Sequence, residues 1–247
     1  MITLAKQGSA QGNIAVFKDR RTGAIIYRQG HCHQTEADAN GISISAYIHA
    51  LFGLLHQSNS RDVLLIGCGG GTLGTMLHAT GATVTMIDTD PAAFALARRY
   101  FKLPVGVTCR VADGRKFLEE NPHRYDAIVL DAYIGTEIPR QFMTETFFEL
   151  ARTRLKKRTG CLFANAYVVS SRDRKADRLA ALMRGVFRSV RLLDEKGSAD
   201  RNAIAMAGAV AKLTAPSLLM APKCDVVDIE TTLERLAFRT WRTRKGR

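Results

Sequence analysis

The chain has 247 residues, 46% hydrophobic and 24% charged, with a formal net charge of +13. That length and balance fit one large globular domain, or one domain with a small appendage. No apolar run approaches the roughly 20 residues a membrane helix needs, and the opening MITLAKQGSAQGN lacks the apolar centre of a secretory signal. Five cysteines at 32, 68, 109, 161 and 224 are odd in number and mostly set in apolar runs. They read as buried thiols in a reducing, cytoplasmic setting rather than as a disulfide framework.

Residues 1–12 read as disordered or loosely attached. Asn13 to Lys18 and Ala24 to Arg28 are strand-like runs joined by the turn-forming Asp19-Arg20-Arg21-Thr22-Gly23, which predicts a hairpin. The polar stretch from Gly30 to Asp38 follows. Its His31, Cys32 and His33 have no second ligand cluster at zinc-site spacing, so it reads as the rim of a pocket and no metal is expected. Ser43 to Leu55 has the apolar content of a buried helix.

The stretch from Arg61 to Pro91 organises the rest. Val63-Leu64-Leu65-Ile66 suits a strand buried on both faces of a parallel sheet. Gly67, Gly69, Gly70 and Gly71 make a turn, a helix-spaced segment follows, and a second strand from Val84 to Ile87 ends in Asp88. Strand, glycine turn, helix, strand and acid form the βαβ nucleotide-binding arrangement. Glycines let backbone approach a ligand, and the helix start offers unpaired N–H groups. Asp88, 21 positions after Gly67, is placed to accept from ribose hydroxyls. The glycines fit both a dinucleotide pattern (Gly69 to Gly74) and an adenosyl-sulfonium pattern (Gly67 to Gly71), and do not decide between them.

Beyond Asp88, Pro91 to Tyr100 is predicted helical, with proline in the first turn. Val107 to Val111 is a third strand ending at Asp113-Gly114, Arg115 to Glu120 a short helix, and Tyr125 to Leu130 a fourth strand ending at Asp131. A helix over Thr144 to Lys156, a strand over Gly160 to Val168 and a helix over Asp173 to Val186 come next. Val190 to Leu193 and Ala203 to Ala207 read as an antiparallel pair, and a last helix begins near Ile229. Strands alternating with helices predict an α/β, doubly wound, mostly parallel sheet. Asp88, Asp113 and Asp131 then end successive strands on the edge where such sheets bind ligands.

The motifs GHCHQTEAD, LLIGCGGGTLG, VTMIDTDP, VADGRKFL, YDAIVLDAY and FMTETFFELARTRLKKRTGCLF, in this order, resemble the spermidine synthase family, the polyamine aminopropyltransferases. That family is a branch of the S-adenosylmethionine-dependent methyltransferase fold. The resemblance spans roughly residues 13 to 168. It implies a seven-stranded, Rossmann-like methyltransferase sheet over residues 41–247, preceded by a short N-terminal β-hairpin segment or lid over residues 1–40. It implies S-adenosylmethionine or its decarboxylated form as cofactor, methylthioadenosine or S-adenosylhomocysteine as product, an amine-type acceptor and a homodimer. Carried over by position, Gln34, Gly67, Gly69, Gly71, Asp88, Asp113 and Gly114 would contact the cofactor, with Asp88 on the ribose and Asp113 on the adenine. Asp131 would be the catalytic carboxylate.

The chain departs from the family at three places. Gly70 stands where the family has an aspartate, Ile134 where it has a second acid after Asp131, and Ile42, Ser43 and Ile44 where it has a Tyr-His-acid trio. Those groups grip cationic amines, and seating such a charge without carboxylates is costly. Glu36, Asp38, Tyr133 and Glu137 are the candidates to replace them. Two alternatives stand beside the transferase reading. One is methyl transfer to a larger or nucleic-acid substrate. The other is a nucleoside-binding protein without catalysis. The basic runs at Arg152 to Arg158, at Arg172 to Arg191 and in the tail from Arg239 would serve nucleic acid, but the aromatics are not interleaved with them as base stacking requires.

Overall fold

The computed structural model describes residues 1–195 and 199–241. Two sheets carry the architecture. The first is an antiparallel meander of β1 (Ile2–Gln7), β2 (Ile14–Lys18), β3 (Ile25–Gln29) and β4 (Cys32–Ala37). The second holds β5 (Asp62–Ile66), β6 (Thr83–Asp88), β7 (Thr108–Val111), β8 (Ala127–Leu130), β9 (Cys161–Val168), β10 (Val190–Asp194), β11 (Arg201–Gly208) and β12 (Ala237–Arg239). Its spatial order is β12-β10-β11-β9-β8-β5-β6-β7. Strands β5 to β9 run parallel, and β10, β11 and β12 close one side antiparallel.

Two expectations are corrected here. Residues 1–12 are not loose over most of their length, since β1 pairs with β2 along its whole run. Leu4 and Ala5 pack on the cluster of Ile14, Val16 and Tyr27, and the Tyr100 hydroxyl donates to the Leu4 carbonyl at 3.2 Å. The same cluster includes Ala92, Leu96 and Phe101, so this sheet is docked on α3 (Pro91–Tyr100). Among the described residues the main sheet has eight strands rather than seven. The eighth, β12, is three residues long, too short for any periodicity to announce. Its last residue, Arg239, opens the segment expected to be a basic tail, and residues 242–247 of that tail lie outside the described residues. Arg239 is tied down instead: Nε donates to buried Asp194 at 2.7 Å and Nη1 to Asp177 at 2.8 Å.

The remaining helices are α1 (Ala46–Gln57), α2 (Thr72–Ala79), α4 (Gly114–Glu120), α5 (Glu145–Thr153), α6 (Lys175–Val186) and α7 (Val226–Arg235). Val63 and Leu65 pack with α1 and α2, while Leu64 and Ile66 pack with α4, α5 and α6. A strand covered on both faces has no polar side, which is why β5 reads as an unbroken apolar run. Side-chain oxygens cap the starts of α3 (Asp90), α4 (Asp113) and α5 (Thr144), whereas Ser45 before α1 and Asp225 before α7 make no such bond. Among the described residues no helix is long and apolar enough to cross a membrane.

Register places the site. Ile66 pairs with Ile87 on one side and with Leu130 on the other. Gly67, Asp88 and Asp131 therefore leave the sheet at one level, where the strand order reverses around β5. Open α/β sheets bind ligands at that switch point.

Candidate active site

Two adjoining cavities open at this edge. The smaller, about 220 Å³, is lined by Gln34, Gly67, Gly69, Asp88, Asp113, Gly114 and Asp131 among others. The larger, about 690 Å³, is lined by Gln34, Glu36, Tyr47, Gly71, Asn165 and Tyr167 among others, and also by Asp131 and Tyr133. Gln34, Gly67, Gly69, Asp131 and Tyr133 border both. The residues expected from sequence at the cofactor thus converge, with Gly71 on the larger cavity only.

Asp88 sits under the glycine turn. Its Oδ2 accepts from the Cys68 N–H and its Oδ1 from the Asp90 N–H, both at 2.9 Å. Burial raises its pKa, and these backbone donors oppose the rise. An ionised carboxylate has about four acceptor sites, so both oxygens keep capacity for hydroxyl donors. Asp113 has two protein partners: Oδ1 accepts from the Lys116 N–H at 3.0 Å, capping α4, and Oδ2 accepts from the Gln141 amide. It is a cap and a cleft residue at once. Gly114 is required by packing, since a Cβ there would meet Ile66 Cγ2.

Four of the five N–H groups of residues 67–71 are engaged within the protein. Gly67 donates to the Ile87 carbonyl, Cys68 to Asp88, Gly70 to Thr35 Oγ1 at 2.8 Å and Gly71 to the Cys68 carbonyl. These four donors are therefore committed before any ligand reaches the turn. Gly67 has φ +104°, and a Cβ there would collide with the Asp131 carbonyl. Gly70 is constrained sterically: a Cβ would lie 2.7 Å from Thr35 Cγ2 and 2.8 Å from Phe101 Cδ1. The space a side chain would need at 70 is filled by the N-terminal sheet and by the residue that follows α3.

Asp131 stands on the wall common to both cavities. Asn165 Nδ2 donates to its Oδ1 at 2.8 Å and the Tyr47 hydroxyl to its Oδ2 at 3.3 Å. Burial lifts its carboxyl from 3.8 to about 6, against the pull of those two donors. The loss of solvent and the proximity of Asp131 push the Tyr47 hydroxyl well above the usual phenol range, so it serves as a neutral donor. A half-buried carboxylate that titrates near neutrality, held by two neutral donors, can orient an amine and take its proton.

The acceptor candidates divide. Glu36 lines the larger cavity and pairs with His33 Nδ1 at 2.9 Å. Tyr133 borders both cavities, but its hydroxyl is committed, donating to the Asn165 carbonyl and accepting from the Tyr167 N–H, each at 2.8 Å. Asp38 and Glu137 are not brought to either cavity. Asp38 is buried and accepts from the backbone of Asn40, Ile42 and Lys223, closing the turn before α1. Glu137 faces outward and pairs with Lys175 at 2.9 Å. Gln34 reaches from β4 to the Gly135 carbonyl at 3.5 Å, spanning from the N-terminal sheet to the loop after β8.

Tyr47, Asn165, Tyr167 and Gln141 went unread in the sequence. Tyr47 was hidden in an apolar helix, where an aromatic reads as core. Asn165 had a signal: it is the one polar side chain in Cys161 to Ala166, a run with every position buried, and a buried amide requires partners. Gln141 lies in a loop with no pattern.

Residues 48–199 match the sequence model of the methyltransferase small domain family. The chain is 31% identical over 195 residues to a polyamine aminopropyltransferase of Vibrio vulnificus, covering 74% of this chain and 64% of that protein. It is 29% identical over 177 residues to an N-terminal histidine N-methyltransferase of Emericella nidulans, covering 62% and 32%. The chain therefore spans less than two thirds of the length of these relatives. Among solved structures, a probable spermidine synthase from Corynebacterium glutamicum superposes with a TM-score of 0.77 at 19% identity, covering 95% of this chain and 90% of that one. A spermidine synthase in complex with the transition state analogue AdoDATO gives 0.72 at 16% identity, covering 94% and 84%. With a family model that takes in more than half of its length, the chain belongs to the methyltransferase small domain family, and its fold is the one the spermidine synthases share.

Proposed function

We propose that the protein is a transferase that binds an adenosyl-sulfonium in the smaller cavity and moves its aminopropyl or methyl group to an amine in the larger one. The observation that carries this is the position of Asp131: one carboxylate, titrating near 6, on the wall shared by two cavities. Asp88 would hold the ribose hydroxyls. Asp113, Gly114 and Gln141 would face the base, and Gln34 and the Gly67–Gly69 backbone the region around sulfur. When bound, the sulfonium supplies an electrophilic carbon and a neutral sulfur leaving group.

The chain's own task is then to align an amine and manage one proton. As a C–N bond forms and the C–S bond breaks, the nitrogen must shed a proton. Asp131 is placed to accept it, with Asn165 and Tyr47 fixing its two oxygens. The similarity to the Vibrio aminopropyltransferase favours aminopropyl transfer. Methyl transfer is a second reading, supported by the similarity to an N-methyltransferase and by the absence of room for an acid at Gly70. Calorimetric titration with S-adenosylmethionine, its decarboxylated form, methylthioadenosine and NAD is the test. The sulfonium and thioether nucleosides should bind and NAD should not, and the tighter of the two sulfonium forms names the group transferred. NAD binding more tightly than all three would overturn the proposal.

A further inference from the structure

Strands β12, β10, β11 and β9 are neighbours in that order, and each runs antiparallel to the next. The end of β12, the start of β10, the end of β11 and the start of β9 therefore meet at one edge of the main sheet. Because β9 is parallel to β8, this edge lies away from Asp131, which follows the end of β8. Backbone bonds lace the segments together there. The Gly208 N–H donates to the Ser189 carbonyl and the Ala209 N–H to the Gly160 carbonyl, both at 3.1 Å.

Each segment brings cations to that edge. Lys157 and Arg158 precede β9, Arg184 and Arg188 precede β10, and Lys212 follows β11. All five are exposed, and none makes an ion pair among the described residues. An open cavity of about 720 Å³ lies here, lined by Arg184, Arg188, Ser189, Val190, Gly208 and Trp241. Glu145 touches α6 at Gly185 but does not line this cavity. Arg184 Nη1 donates to the carbonyls of Phe187 and Arg188, which close the end of α6. A guanidinium has five N–H donors, so others remain for the cavity. Trp241, the chain's single tryptophan, is half-buried against the cluster under α6. In sequence the aromatics stand apart from the basic runs at 152–158 and 172–191, whereas the fold sets Trp241 beside Arg188 from 53 positions along the chain.

We propose that this edge is a docking surface for single-stranded nucleic acid, with a base stacked on Trp241 and phosphates held by Arg184, Arg188, Arg158, Lys157 and Lys212. The three gaps between β12, β10, β11 and β9 give the track a length of about 14 Å. Cations gathered without acids on a chain of net charge +13 hold a positive potential that draws a polyanion. Phosphate charge supplies affinity without regard to sequence, and an aromatic face accepts any base that is not already stacked in a duplex. The nucleic acid is a partner here and not the group's acceptor, since Asp131 lies at the other edge. The surface stands whether or not the cavities at that edge carry out a transfer.

The test titrates the full chain with a fluorescein-labelled oligouridylate of about 12 nucleotides, within the site sizes such surfaces take. Anisotropy reads binding, and emission from the single tryptophan reads stacking. Binding should quench Trp241 and weaken steeply between about 50 mM and about 200 mM salt. Its logarithm should fall against log[salt] with a slope of about −3, for four phosphates at about 0.7 each. Arg158→Glu and Arg188→Glu, at exposed positions, should each weaken binding about tenfold and flatten the slope by about 1, with unchanged thermal midpoints. Trp241→Ala should cost about tenfold as well, and the two arginine variants decide the matter if that protein fails to fold. Methylthioadenosine should not displace the oligonucleotide. No binding at about 50 mM salt, or arginine variants that bind as wild type does, would overturn the proposal. Binding that leaves Trp241 unquenched and is no tighter than that of heparin or oligoglutamate would make this a general polyanion surface, and the assignment to nucleic acid would fail. Displacement by methylthioadenosine would put the oligonucleotide in the cofactor cavity and remove the separate site.

Discussion

Replacing Asp131 by asparagine separates the two things its carboxylate does, accepting a proton and bearing a buried charge. The substitution keeps the shape, and the introduced amide can still accept from Asn165 while its NH₂ donates to the Tyr47 oxygen. With the folded carboxyl at about 6 and the ordinary value at 3.8, ionising it inside the protein costs about 3 kcal/mol, at 1.36 kcal/mol for each tenfold change in proton affinity. Because the folded state holds this proton more tightly, the group's contribution to stability is fully present below about pH 4. It is lost as pH rises through about 6. Urea unfolding of wild type and Asp131→Asn, followed from about pH 4 to about pH 7.5, isolates this group because all others titrate alike in both proteins. Relative to wild type, the variant should gain up to roughly 3 kcal/mol across that range, while its transfer rate at neutral pH falls about a hundredfold to ten-thousandfold. In wild type, kcat/KM should climb with pH through about 6, the acid limb of Asp131. A stability difference that is flat with pH would refute the buried-charge reasoning, and an unchanged transfer rate would refute the role as proton acceptor.

Gly70→Asp should destabilise the fold by about 1–3 kcal/mol, as overpacking does, because its Cβ meets Thr35 and Phe101. Adding Thr35→Ala should return part of the loss in thermal unfolding, and a Gly70→Asp protein as stable as wild type would show that the space is open after all. Lys175→Met removes a side chain only 4% exposed that donates to the Thr136 and Tyr167 carbonyls at 2.8 and 3.1 Å. It should cost about 2 kcal/mol and speed amide exchange in the loop 132–139, and exchange that is unaltered there would mean the loop is held by other contacts.

Much of this molecule was legible before any coordinates. The run from Val63 to Ile66, the glycine turn and Asp88 specify a βαβ unit because buried strands, tight turns and helix starts each demand particular local chemistry. Asp131 at the end of an apolar strand was placed on the ligand edge by the same logic, and register brought it level with Asp88. Local chemistry could not say which acids would face inward. Asp38 looked as available as Glu36 in sequence, yet one closes a turn on backbone N–H groups and the other lines the cavity. Glu137 was drawn off by Lys175, 38 positions away.

The tertiary structure alone decided the surroundings of the reacting carboxylate. Tyr47 and Asn165 meet Asp131 from 84 and 34 positions away, and no periodicity encodes a contact of that span. Strand β12 pairs with β10, and buried Asp194 and Asp177 hold its Arg239 from far along the chain. A sequence fixes which faces must be buried and where a chain must turn, since these depend on neighbours along the backbone. Which side chains share a cavity, and so what proton affinity each acquires, depends on solvent exclusion and on partners that only the folded packing brings together.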